Sequence, residues 1–117
     1  MHHLHIITPV KDSLDTTLKT IECISKAEKS FSSNYTIYND FSSEETTECL
    51  TASIQKFDYE IINLKDVTSH PSPNYLLVLQ MAQKKALSDG AHLLIIESDV
   101  LVEQDTIQKL YDYCKLL

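Results

Sequence analysis

Three short segments hold side chains that could do chemistry. Glu97-Ser98-Asp99 places two carboxylates two residues apart just after the apolar run 92–96. Asp40 stands between the β-prone residues 35–38 and a polar stretch rich in serine and glutamate, and Thr8-Pro9 lies near the end of the apolar run 4–10. Side chains two apart on an extended chain project to the same side. Glu97 and Asp99 could therefore approach one divalent cation, since Mg2+ and ions like it take oxygen ligands and are commonly held by one or two carboxylates plus phosphates and water. The plainer alternative is that both carboxylates cap the following turn and stay solvated. Asp40 could accept a hydrogen bond from a ligand N–H, or be ordinary turn chemistry between a strand and a helix. Thr8 and Pro9 could shape a loop through the backbone, or merely end a strand. His2, His3 and His5 alternate, but only His3 and His5 share a face, so an exposed strand start is expected rather than a metal site. His70, beside Pro71, could approach an anion from a loop, although loop histidines are usually just exposed.

The elements that must position these groups are read from hydrophobic periodicity. Residues 4–10 form a first strand, with Asp12-Ser13 able to cap a helix on which Leu14, Leu18, Ile21 and Ile24 make one stripe. Residues 35–38 form a second strand. Ser42-x-x-Glu45 reads as a capping box opening a helix that buries Leu50, Ile54 and Phe57. Residues 59–64 form a third strand, followed by a loop over 65–72 in which Ser72 serves as N-cap with Pro73 at the first helical position. Tyr75, Leu79, Ala82 and Ala86 carry that helix to Asp89, with Gly90 as its left-handed cap. The continuous apolar run 92–96 is expected of a strand buried on both faces. Ile107, Leu110, Tyr111, Cys114 and Leu117 then stripe a last helix. Strand and helix alternating in this way predict an α/β fold, a mainly parallel four-stranded sheet with helices on both faces. In such sheets ligands bind outside the carboxyl ends of the strands, where all three chemical segments fall.

Composition narrows the partners. The 117 residues provide for one domain, residues 1–117. A net charge of −7, from 17 acidic and 10 basic residues, disfavours nucleic acid or an anionic membrane. All the basic residues are lysine. With no guanidinium to grip phosphate in a bidentate fork, a diphosphate would need a metal ion, lysines or helix N-termini. Cys23, Cys49 and Cys114 match neither a disulfide framework nor a zinc site, which fits a reducing cytoplasm. No apolar run is long enough to span a bilayer.

In order and spacing, these segments resemble the first, nucleotide-sugar-binding half of the family 2 glycosyltransferases of GT-A fold. Ile7-Thr8-Pro9-Val10-Lys11-Asp12 resembles the end of that family's opening strand. Asn39-Asp40-Phe41-Ser42-Ser43-Glu44-Glu45-Thr46 resembles its Asp-Asp-Gly/Asn-Ser segment, with Asp40 on the second aspartate, which in the family contacts the base. The closest match is residues 93–105, where Glu97-Ser98-Asp99 stands at the Asp-x-Asp motif. The pattern departs at Val10, where many members carry an aromatic residue, at Glu97, and at residues 67–74, which replace a glycine-rich, arginine-bearing segment.

The resemblance implies a Rossmann-like GT-A half that binds a nucleotide-diphospho-sugar for transfer to an acceptor. Thr8, Pro9, Asp40, Glu97 and Ser98 are its expected donor-binding residues, and Asp99 is the expected ligand to Mn2+ or Mg2+. Glu97 would reach the ribose hydroxyls or a metal-bound water. Inverting transfer also needs a base on the acceptor side. None is found here, so the chain is expected to be a fragment of a longer enzyme, with a homodimer through its exposed apolar surface as one further expectation. The alternatives are a non-catalytic nucleotide-binding or interaction domain of the same fold, and an unrelated doubly wound module of flavodoxin-like type.

Overall fold

A computed structural model describes residues 3–116, so that His2 and Leu117 lie outside the described residues. The chain runs β1 (Leu4–Val10), α1 (Leu14–Lys26), β2 (Ser33–Asn39), α2 (Glu44–Ala52), α3 (Ile54–Phe57), β3 (Glu60–Asn63), a 3-10 turn (Leu64–Asp66), α4 (Tyr75–Asp89), β4 (His92–Ile95) and α5 (Thr106–Lys115). The strands form one sheet in the order β3-β2-β1-β4, and every neighbouring pair is parallel. The α/β architecture expected from the alternating pattern is therefore present.

The two-residue period of β1 sends its side chains to two cores. Leu4, Ile6 and Val10 pack with Ile21 and Ile24 of α1, Leu50 of α2 and Ile107 of α5. On the other face Ile7 packs with Tyr38, Leu64, and Val78 and Ala82 of α4. Because β2 and β3 extend the sheet from one side of β1 while β4 joins the other, the strand order reverses between β1 and β4. That crevice is the place where a sheet of this kind opens at its carboxyl rim.

Several local expectations are corrected. The second predicted helix is two, broken at Ser53, whose hydroxyl donates to the Cys49 carbonyl at 2.9 Å. The capping box is shifted by one residue: Ser43 caps α2 by accepting from the Thr46 amide at 3.2 Å. Ser13 occupies the N-cap of α1 in a left-handed conformation without a side-chain cap. Helix α4 opens at Tyr75 after Asn74 rather than at Pro73, and its buried stripe is Val78, Ala82 and Ala86, with Tyr75 exposed. Gly90, at φ 63°, closes it as expected. β4 is an edge strand, so its leucines and isoleucine are half-buried: Leu94 faces one core, Leu93 and Ile95 the other. His5 is only 2% exposed, pairing with Asp89 at 2.9 Å, so the histidine-rich start of β1 is not an exposed edge as expected. His3 is exposed. On α5, Ile107 is buried and Tyr111 stacks on Phe31 at 4.0 Å between ring centroids, while Leu110 and Cys114 face solvent. Among the described residues no helix is long and apolar enough to cross a membrane.

Candidate donor site at the carboxyl rim

The loops leaving β1 and β2 are tied to each other. Asp12 and Ser13 adopt positive φ of 56° and 52°, and Phe41 follows at 58°. Non-glycine residues rarely hold this conformation unless the surroundings fix it. Here the surroundings are visible. Asp12 N–H donates to the Ser42 hydroxyl at 2.8 Å, and Ser43 N–H donates to the Asp12 carboxylate at 2.7 Å. The Lys11 ammonium donates to the Phe41 carbonyl. Asp12, read as a cap for α1, instead serves an amide at the start of α2. That bond holds its carboxyl below the usual range.

Thr8 is fully buried and its hydroxyl pairs with the Tyr35 hydroxyl at 2.7 Å. Its side chain belongs to the core, which leaves only its backbone for the rim. Pro9 is half-buried, and the Val10 carbonyl accepts from Asp40 N–H at 2.8 Å.

Asp40, 7% exposed, is heavily engaged. Its Oδ2 accepts from the Ser72 hydroxyl at 2.9 Å and from Asn74 N–H at 2.8 Å, and its Oδ1 accepts from the Asn74 side-chain amide at 2.8 Å. Ser72, expected to cap α4, therefore serves Asp40 instead. Burial raises the Asp40 pKa, but the bonds from Asn74 and Ser72, with Lys11 nearby, outweigh it and bring the carboxyl below its usual value. An ionised carboxylate offers about four lone-pair positions. Three donors leave room for one more, on Oδ1.

Beyond β4 the chain does not stay extended through the acidic segment. Val100 N–H donates to the Glu97 carbonyl at 3.2 Å, closing a turn through Ser98 and Asp99. The Ser98 carbonyl accepts from the Thr20 hydroxyl at 2.9 Å, fastening this turn to α1. Glu97 is exposed and its Oε1 accepts from the Tyr75 hydroxyl at 2.7 Å. Asp99 is exposed and, among the described residues, its carboxylate makes no hydrogen bond. Neither carboxylate caps the turn. The described residues contain no group of three ligating side chains that could hold a metal ion. An all-protein cage is thus not offered. The Asp99 carboxylate and Oε2 of Glu97 remain without protein partners among the described residues, on one turn at the rim.

By sequence alone Ser72 reads as a helix cap and Tyr75 as part of a helix stripe, with Asn74 between them; the structure brings all three to the rim carboxylates. His70 stays in its loop; its carbonyl accepts from the Asn74 amide at 2.9 Å. A cavity of about 440 Å³ beside the rim is lined by Asn39, Phe41, Ser42, Asn63 and Lys65 among others. Another, of about 490 Å³, lies at the opposite, amino ends of β2 and β3, lined by Lys29, Asn34 and Tyr59 among others, and is separate from the rim groups.

No protein-family model and no curated protein matches the sequence. Solved structures do match the fold. TarS from S. aureus (1–349), in complex with UDP-GlcNAc, aligns with a TM-score of 0.66 at 14% identity, over 97% of this chain and 31% of that one. The mannosyltransferase PcManGT from Pyrobaculum calidifontis, in complex with GDP-Man and Mn2+, aligns with a TM-score of 0.64 at 10% identity, over 91% of this chain and 30% of that one. The chain thus spans less than a third of either protein's length. At such identity the likeness speaks for the fold alone: this chain has the Rossmann-like, GT-A-like fold of these structures.

Proposed function

We propose that the chain binds a nucleotide-diphospho-sugar in the crevice between the carboxyl ends of β1 and β4, as the donor half of a glycosyltransferase. The observation that carries this reading is the open Asp99 carboxylate on the turn that follows β4, at the point where the strand order reverses. Asp99 would ligate Mn2+ or Mg2+. With no arginine in the chain, the chemistry such a cation supplies when bound is neutralisation of the departing diphosphate. Glu97, through Oε2, would take ribose hydroxyls or a metal-bound water, and Ser98 would line the same turn. Asp40 keeps one acceptor position on Oδ1 for a base N–H, over a floor formed by the backbone of Thr8 and Pro9. Transfer to an acceptor needs a base that these residues do not offer.

A reducing cytoplasm fits the three free cysteines. The exposed Leu110 and Tyr113 of α5, with Leu116 just after it, suit a second copy of the chain. A non-catalytic domain of the same fold is the second reading, favoured by the three donors already on Asp40. Calorimetric titration with UDP and GDP, with and without Mn2+, separates the readings. Binding that requires the metal supports donor binding; absence of binding at millimolar nucleotide contradicts it and favours the second reading.

A further inference from the structure

Asp40 and Glu97 leave the sheet on opposite flanks of β1, two inter-strand spacings or about 10 Å apart by ordinary sheet geometry. One short segment serves both. Ser72 and Asn74 donate to Asp40, and the next residue, Tyr75, donates to Glu97. We infer that Tyr75 is a positioning residue for Glu97, and that residues 72–75 form a strap across the end of β1 which sets both carboxylates of the proposed donor site. The inference rests on the donor-binding reading above.

Glu97 has reason to need such help. It follows an edge strand, it is exposed, and immobilising a glutamate side chain costs up to about 2 kcal/mol in rotamer freedom. A hydroxyl fixed in place reduces that cost when a ligand arrives. Tyr75 can provide it because its backbone follows directly on Asn74, which is 7% exposed and bonded twice to Asp40. The bond takes Oε1 and leaves Oε2 for the ligand. Consistent with this geometry, the Tyr75 phenol ionises above its ordinary value because it is bonded to Glu97, with burial and the carboxylate charge adding to the effect.

The test is a double-mutant cycle on Mn2+-dependent UDP and GDP binding, with wild type, Tyr75→Phe, Glu97→Gln and the pair. Tyr75→Phe should weaken binding about three- to tenfold, the range for loss of one partly solvated, charge-assisted hydrogen bond. In the Glu97→Gln background the same change should have little further effect. Spectrophotometric titration gives a readout that folding alone does not move: one tyrosine should titrate lower in Glu97→Gln than in wild type. Wild-type affinity retained in Tyr75→Phe, or full additivity of the two changes, overturns the inference while leaving donor binding intact. Absence of binding by the wild type overturns donor binding and the inference with it.

Discussion

Asn74 donates to Asp40 twice, from its backbone N–H to Oδ2 and from its side-chain amide to Oδ1, each at 2.8 Å. The carboxylate that follows β2 is therefore also the anchor of the chain entering α4. Replacing Asp40 by alanine leaves these donors and the Ser72 hydroxyl without their acceptor at a site 7% exposed. It should cost about 2–3 kcal/mol in urea unfolding at pH 7. A loss below about 0.5 kcal/mol would show that the anchor is dispensable.

The same contact sets an acid dependence. The folded pKa of Asp40 lies below its ordinary value, so its contribution is fully present above the unfolded pKa, near 4, and is lost as pH falls through the folded one. Urea midpoints between about pH 2 and 7 should stay level near neutrality and fall below about pH 4. The acid limb should be shallower in Asp40→Asn. Asp12 and Glu60 also have lowered values, so the difference between the two proteins, rather than either curve, reports Asp40.

Thr8 separates a backbone role from a side-chain role. Thr8→Val keeps the volume but deprives the buried Tyr35 hydroxyl of its partner at 2.7 Å, costing about 1–3 kcal/mol. Nucleotide affinity, measured where the variant is still folded, should stay within about twofold of wild type, a difference of only a few tenths of a kcal/mol. A tenfold loss would place the hydroxyl in the site instead.

Gly90 tests the end of α4. At φ 63°, with nothing within 4 Å of where a Cβ would sit, an alanine meets no clash but must adopt the left-handed conformation. Gly90→Ala should destabilise by about 1 kcal/mol or somewhat more, read from thermal or urea unfolding. A stabilised variant would contradict the cap.

Architecture was legible because the periods of two and 3.6 residues are local properties. The four strands, the helix stripes through Ile21 and Ile24 and the cap at Gly90 all follow from near neighbours in sequence. What was not legible depends on partners distant in sequence. Ser42 fits a capping box by spacing, but Asp12 draws it away, and Ser43 caps the helix. Ser72 reads as a cap before proline until Asp40 takes its hydroxyl. The apolar run at β4 reads as a central strand because helices cover both faces, although strand order places it at the edge. His5 reads as exposed because its partner, Asp89, lies at the far end of α4. Among the rim groups, the acidic pair was visible by type and spacing, whereas Tyr75 became visible only through its bond to Glu97.

The central claim concerns Asp99, and calorimetry of UDP and GDP binding with Mn2+ on wild type and Asp99→Ala tests it most directly. Asp99 is exposed and makes no side-chain hydrogen bond among the described residues, so the variant should keep its folding stability to within about 0.5 kcal/mol. The account predicts metal-dependent binding by the wild type and its loss in Asp99→Ala. Metal-dependent binding of unchanged affinity in Asp99→Ala would contradict it.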